Sequence, residues 1–395
     1  MTCNGNHALR YDYLLHATVQ ASENWGLPFS DDDQEVSGNY DQLAELCRDF
    51  RLSRQRSGVS LTAYKRANYV LAHMEAARLE EQCISRPFAV QLSRDERCNL
   101  SCVYCRPRRY DSLVSMNREQ WVAALSVLLP AALEFLPFCW GEPLLAPEFD
   151  LTCCLAEKYQ TSLSLITNLQ HLTPDLADLF VRHVTRALVS ADTADRVLFE
   201  KLRCGGDLYT LERHMTMLHE TAERIGVTPP WLGISAVMLR SNLTLLPELI
   251  TWASRRGFRG VYAGRLVIPE HIREFGRDER VDLQSAEYAA VYTECAARAR
   301  ALAVELSMYN PVDPIGVERM CLCPWHHVYV SASGDVCSCN FSRLTVLGKL
   351  PLHDSYWNSN AIRRRRSIWT VDHRCQSCQS TDYDGRPGVL QERGY

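Results

Sequence analysis

Lysine is almost missing from this chain. Of its 43 basic residues only Lys65, Lys158, Lys201 and Lys349 are lysines. The bias reflects a GC-rich genome and marks no site. A basic excess is missing too: the 395 residues carry a formal charge of −4, which argues against a dedicated nucleic-acid binder. The chain does not open on a basic stretch followed by an apolar run, so no export signal is read there. The most apolar stretch, residues 121–140, contains Pro130, Glu134 and Pro137 and reads as a buried helix followed by a strand, not as a membrane span. No lipidation motif, internal repeat or low-complexity segment is present.

Cysteine, by contrast, is abundant, with 17 residues. A secreted protein would spend them on disulfides. Without export, so many thiols point to a reducing cytoplasm and to bound metal.

Residues 1–86 read as a helical extension. Residues 24–40 are polar and acidic, with Asp31, Asp32 and Asp33 in a row, and read as loop. Residues 43–52 and 64–81 carry helical periodicity, and Tyr69, Val70, Leu71, Met74 and Leu79 make an apolar face. Such helices pack on the main domain or bind a partner; packing is the expectation. From Pro87 the pattern alternates. Strands are expected over 88–92, 135–140, 163–167, 187–190, 232–239 and 260–267, with helices over 118–129, 151–159, 176–183, 197–225, 246–256 and 286–303. About six βα units place residues 87–310 in the α/β class, as a parallel sheet that curls or closes with active-site loops at the carboxyl ends of its strands. After Pro311 the chain turns Cys-rich. Short strands at 328–331 and around Val336, a helix near 355–368 and a final Cys pair suggest a second domain over 311–395. The arginine run 363–366 reads as a solvated helix face.

Cys98-Asn-Leu-Ser-Cys102-Val-Tyr-Cys105 follows the first strand. Three thiolates at this spacing wrap one side of a cluster from a single loop. Iron–sulfur clusters normally take four ligands, so three leave one iron open. An open metal position is what chemistry needs. Zinc would want a fourth Cys or His close by, and the neighbours are Arg106, Arg108 and Arg109.

This spacing, with an aromatic residue just before the last Cys, resembles the signature of the radical S-adenosylmethionine (SAM) superfamily over about residues 87–310. The resemblance implies a 4Fe–4S cluster on Cys98, Cys102 and Cys105, with SAM's amino and carboxylate groups on the open iron. Cleavage of a carbon–sulfur bond then yields methionine and a 5′-deoxyadenosyl radical, while the protein positions the cofactor and shields the radical. Tyr104 matches the aromatic position near the adenine. Phe138-Cys-Trp-Gly141-Glu142-Pro143 resembles the family's GGEP motif, with Trp140 in place of the first Gly. By that match Glu142 receives the SAM ammonium from a turn made by Gly141 and Pro143. Further strand ends match more weakly: Thr167 and Asn168, Ser190 and Asp192, and Arg240. In the family these places contact SAM's ribose and carboxylate.

Cys323 opens the C-terminal part, in a hairpin with Gly334 at its turn; Cys339 sits at the hairpin base, and Cys375 and Cys378 arrive after the helix. Four thiolates make a closed site, and on the residues alone a zinc ribbon competes. Cys-x10-Gly-x4-Cys behind radical SAM motifs looks like the SPASM auxiliary domain. With four of its cysteines rather than seven, it resembles the shorter twitch version. That implies one auxiliary 4Fe–4S cluster on Cys323, Cys339, Cys375 and Cys378. Cys321 and Cys337 are spare, and Cys321 can stand in for one of the four.

The whole is therefore expected to be a partial (β/α)6 TIM-like barrel with an N-terminal helical extension and a C-terminal twitch domain (hairpin plus helix). A second redox centre suits a net two-electron oxidation. Twitch relatives include alcohol dehydrogenases and sugar epimerases of aminoglycoside antibiotic pathways. The favoured reading is dehydrogenation or epimerisation at a carbinol carbon of a small polyhydroxylated metabolite, an aminocyclitol or amino sugar, with an electron donor such as flavodoxin or ferredoxin. An epimerase needs a hydrogen-donating thiol, for which Cys204 and Cys139 are the candidates; each otherwise serves as an apolar filler. Cys153 and Cys154 read as helix core, and His326 and His327 as strand residues without a chemical role. Neither nucleic acid nor membrane is an expected partner. The alternative is a peptide maturase whose residues 1–86 recognise a leader, although that segment lacks the strand run of a leader-binding sheet.

Overall fold

A computed structural model of the chain describes residues 40–52, 60–105, 115–138, 141–266, 273–311, 323–337 and 346–367. Cys139, Cys321, Cys339, Cys375 and Cys378 lie outside the described residues, as does the acidic run at Asp31–Asp33.

Two helices come first, α1 (Tyr40–Leu52) and α2 (Leu61–Ala77). Ser60 caps α2 by accepting from the Ala63 N–H, which satisfies one of the donors a helix start leaves orphaned. α2 is apolar on two sides. Tyr64, Ala67, Leu71 and Met74 meet Leu43, Cys47 and Phe50 of α1, while Tyr69, Ala72 and Ala76 enter the main core. Lys65 fastens the pair to the barrel. Its ammonium donates to the carbonyls of Ala132, Tyr159 and Gln160 and to the Thr161 hydroxyl, all just ahead of two barrel strands. The extension thus packs on the main domain.

The barrel runs β1 (Ala89–Leu92), α3 (Arg118–Leu128), β2 (Glu134–Leu136), α4 (Phe149–Lys158), β3 (Ser162–Thr167), α5 (Pro174–His183), β4 (Val184–Ser190), α6 (Arg196–Leu202), α7 (Leu208–Ile225), β5 (Trp231–Met238), α8 (Leu246–Arg255), β6 (Gly260–Arg265), α9 (Arg273–Glu279), α10 (Ala286–Ala301) and β7 (Glu305–Ser307). Then come α11 (Cys323–His326), β8 (His327–Val330), β9 (Asp335–Cys337), β10 (Gly348–Lys349) and α12 (Asn360–Ser367). One sheet holds all ten strands in the order β10-β9-β8-β1-β2-β3-β4-β5-β6-β7, parallel from β8 to β7 and not closed on itself. Parallel neighbours need crossover connections, which the helices supply. No helix among the described residues is long and apolar enough to cross a membrane.

Several expectations shift. β2 stops at Leu136 because Pro137 brings no N–H to a ladder. The helix expected over 197–225 is two helices, broken at Gly205, whose φ is +93°; Asp207 then caps α7. A seventh parallel strand, β7, joins the six expected. It is three residues long and partly exposed, too short to show alternation. The C-terminal hairpin continues the barrel sheet, since β8 runs beside β1 with Ala89 opposite His327 and Leu92 opposite Val330. The arginine run is not a solvated face. Arg365 and Arg366 are buried, and Arg366 donates to the carbonyls of Pro324 (3.0 Å) and Glu81 (2.8 Å) above the Trp357 ring. Cys153 is core, but Cys154 is exposed. His326 ends α11, its ring packed at a tilt against His73 and Phe88, and His327 opens β8.

Along β5, Leu232, Ile234, Ala236 and Met238 enter the core. Side chains alternate along a strand, so Trp231, Ser235 and Val237 face the other, concave side of the sheet.

Candidate active site at the strand ends

The loop after β1 carries Cys98, Cys102 and Cys105, all partly exposed. It is stitched to the turn between α6 and α7: Ser101 N–H donates to the Cys204 carbonyl (2.9 Å) and Val103 N–H to the Leu202 carbonyl (3.0 Å). Two N–H groups are aimed at the Cys98 sulfur, from Leu100 (3.4 Å) and from the Asn168 side chain (3.7 Å). Burial pushes the Cys102 thiol up to about 12, the Arg203 guanidinium opposes that, and Cys105 and Cys98 push it further up.

Across the loop stands Glu142. Gly141 holds φ at +94°, and a Cβ there would fall 2.6 Å from the Arg97 carbonyl oxygen, so only glycine lets this strand end lie against the cysteine loop. Glu142 N–H donates to the same carbonyl (2.8 Å), and Pro143 begins a short 3₁₀ turn that Glu142 caps. Glu142 Oε1 accepts from the Thr167 hydroxyl (2.6 Å) and Leu144 N–H (3.1 Å), and Oε2 accepts from Asn168 N–H (2.7 Å). A carboxylate has room for about four donors, so one place remains. Burial raises Glu142 to about 7, against those three hydrogen bonds. Asn168 therefore joins the two halves: its backbone holds Glu142 and its side chain reaches Cys98 and Asn99 (2.8 Å).

A second network lies beneath. The Tyr104 hydroxyl donates to Asp192. Arg203 meets both Asp192 oxygens, at 2.9 Å and 3.0 Å, and Val237 N–H donates to Oδ1 (2.9 Å). Asp192, expected as a ribose or carboxylate contact, is fully buried by these protein donors; what it presents to a bound group is the Tyr104 ring it positions. Arg203 escaped the sequence reading. The only sign of it was its place directly before Cys204-Gly-Gly, where a chain reversal was not foreseen. Leu202, Val237 and Leu239 pack with Val103, Tyr104, Leu198, Leu266 and Phe275, an apolar floor suited to a planar ring.

The structure thus gathers Cys98, Tyr104, Gly141, Glu142, Pro143, Thr167, Asn168 and Asp192 around one loop. Ser190 is half-buried at the end of β4, next to Ser235. Arg240 stands on an exposed turn whose backbone bonds to the Glu279 carbonyl (2.9 Å). The Cys204 thiol is partly exposed and donates to the Lys201 carbonyl (3.4 Å). Cys323 and Cys337 are buried at the base of the hairpin.

Among the described residues no three His, Cys, Asp or Glu side chains are gathered closely enough to hold a metal ion. The donor set of the cysteine loop nevertheless fits a cluster with an open corner. Three thiols in one loop repel one another as thiolates until a metal's charge offsets them, N–H groups face Cys98, and a carboxylate with one vacant acceptor place stands beside them.

The family model for the Radical SAM superfamily matches residues 94–230. GTP 3′,8-cyclase of Caulobacter vibrioides is 29% identical over 177 residues, covering 42% of this chain and 49% of that protein. Probable GTP 3′,8-cyclase of Methanopyrus kandleri is 32% identical over 167 residues, 41% of this chain and 51% of that one. The chain spans about half the length of the curated relatives it matches. Among solved structures, Streptococcus suis SuiB bound to S-adenosylmethionine superposes with a TM-score of 0.58 at 14% identity, over 87% of this chain and 82% of that one. Native anSMEcpe with AdoMet and Cp18Cys peptide gives 0.56 at 15% identity, over 74% and 86%. These two likenesses show a shared fold.

Proposed function

We propose, from the premise that this chain belongs to the radical SAM superfamily, that it abstracts hydrogen from a carbinol carbon of a small polyhydroxylated metabolite, an aminocyclitol or amino sugar, with dehydrogenation or epimerisation as the outcome. When bound, the cluster and SAM supply the 5′-deoxyadenosyl radical that takes the hydrogen atom. The chain's own part is placement. Cys98, Cys102 and Cys105 hold the cluster. Glu142, steadied by Thr167, Leu144 and Asn168, offers its remaining acceptor place to the SAM ammonium. Tyr104, held by Asp192, lines the apolar floor for the adenine. Cys323, Cys339, Cys375 and Cys378 would hold a second cluster, which would supply an electron acceptor for a dehydrogenation.

The observation that carries the substrate class is the concave face of the sheet. Leu163 and Leu165, Ala187 and Val189, and Val261 and Ala263 point into the core, so Ser164, Ser190 and Tyr262 line the opposite face together with Gln91 and Ser235. Hydroxyl and amide groups there suit a ligand rich in hydroxyls. The curated relatives are named GTP 3′,8-cyclase, so the aminocyclitol or amino-sugar class and the dehydrogenation or epimerisation rest on the site alone.

Iron and sulfide analysis of anaerobically purified protein tests the premise. About eight irons per chain agrees with two 4Fe–4S clusters, and about four with the first alone. Zinc without sulfide overturns the enzyme reading. Turnover in deuterated water separates the outcomes: deuterium enters an epimerised carbon and stays out of a ketone carbon.

A further inference from the structure

We propose that the concave face of the half-barrel holds the substrate by an oxyanion, a phosphate or carboxylate, with Arg186 as its anchor and the Gln91 amide as a second donor. The inference rests on the reading above and adds a charged group to its polyhydroxylated substrate.

Arg186 lies on the concave side of β4, because Ala187 and Val189 on either side of Leu188 go to the core. Its guanidinium carbon lies over the Trp231 ring, 3.8 Å from the centroid, and the group donates to the Tyr262 hydroxyl at 2.6 Å. The shelf under it is built for that purpose. A Cβ on Gly233 would strike the Trp231 indole at 2.4 Å, and one on Gly260 would meet it at 2.8 Å. Two neighbouring strands therefore give up their side chains to let the indole lie across them.

What the guanidinium lacks, among the described residues, is a counter-charge. Among the described residues its contacts are the Tyr262 hydroxyl and the two rings, and its buried Nε has no acceptor. Arg203, by contrast, is buried and meets both oxygens of Asp192. A half-buried guanidinium fixed on an aromatic shelf, with its Nε buried and unmatched, presents a planar fork that fits an oxyanion.

Gln91 points the same way. It is 1% exposed, and its Nε2 has no acceptor. It projects from β1, between Leu136 of β2 and Tyr329 of β8, while Arg186 projects from β4 between Ser164 and Trp231. Three strand spacings separate β1 from β4, about 14 Å along the arc and less across its concave side. A sugar-sized molecule spans that gap. Glu134 faces the same side two residues before Leu136, so the anion belongs at the β4 end and hydroxyl or amino groups toward β1.

The test uses the cluster-loaded full chain with SAM bound and three probes: glucose 6-phosphate, glucuronate and glucose, titrated by calorimetry. The wild type should bind one or both anions at least tenfold more tightly than glucose, and the stronger of the two identifies phosphate or carboxylate. Arg186→Gln should bind all three alike. Gln91→Leu should weaken the anions several-fold while keeping their order. A wild type without preference for either anion overturns the inference whether or not the variants fold, and so does an Arg186→Gln protein that keeps the preference. Dithionite-driven formation of 5′-deoxyadenosine by the same wild-type sample separates the two layers. If it occurs without an anion preference, only this inference fails; if it does not occur, the radical SAM reading fails.

Discussion

Gly141 leaves no room for a side chain against Arg97: an added Cβ would stand 2.6 Å from the Arg97 carbonyl oxygen, at a φ of +94°. The cysteine loop and the Glu142 turn are thereby one packed unit. Gly141→Ala should cost about 1–3 kcal/mol from the backbone conformation alone. Because the clash falls on the residue before Cys98, the variant should also reconstitute with less iron. Urea unfolding and iron analysis measure the two effects; normal iron uptake would detach the turn from the cluster loop.

Glu142 gives a pH signature. Burial raises its carboxyl from 4.5 to about 7. Between those values the folded chain keeps a proton that the unfolded chain has released. Stability of the ligand-free protein should therefore fall as pH rises through that window, by up to about 3 kcal/mol. Glu142→Gln should flatten this segment of the curve. It should also weaken SAM binding about ten- to a hundredfold, through loss of a charge-assisted hydrogen bond. Urea midpoints at pH 5 and pH 7.5 decide the first point; parallel wild-type and variant curves would mean that the carboxylate stays ionised in the fold.

The Asp192–Arg203 pair is buried on both sides, at 0% and 8% side-chain exposure. Asp192→Asn leaves a buried guanidinium without its charge partner, at a cost of about 3–5 kcal/mol. Replacing both, as in Asp192→Leu with Arg203→Met, should recover much of that loss in thermal unfolding. The double variant should still lose SAM affinity, since the Tyr104 hydroxyl no longer has an acceptor. A double variant no more stable than Asp192→Asn contradicts this account.

Arg366 locks the segment that carries Cys323. It donates to the Pro324 carbonyl, one residue after that cysteine, and to the Glu81 carbonyl ahead of β1. Arg366→Met should destabilise the chain by about 1–3 kcal/mol by stranding the buried Pro324 carbonyl. Under the proposed two-cluster reading, iron should drop from about eight toward about four per chain. A variant that keeps all its iron would separate the lock from the auxiliary site.

The cysteine loop and its place after β1 were legible because the signal is local. Three thiols within eight residues stand out as a candidate ligand set whatever surrounds them, and the Gly-Glu-Pro turn is also short. The βα alternation was legible too, since buried parallel strands read as apolar runs. Arg203 and Arg186 were not. An arginine in a mixed stretch has the same appearance whether it lies in solvent or beneath a cluster, and the run 363–366 misled for the same reason. Pairing of β8 with β1 joins residues more than two hundred positions apart, and no local pattern encodes it.

By itself, then, the sequence determined the cysteine spacing, the glycine that a positive φ requires and the order of strands and helices. These depend on covalent neighbours and on side-chain periodicity. The tertiary structure alone decided which donors hold the Glu142 carboxylate, which arginine has a counter-ion and which, among the described residues, has none, and where the Cys204 thiol points. Those properties arise from burial and from partners that distant segments bring together. A charge acquires chemical meaning only once its solvent has been replaced by specific neighbours.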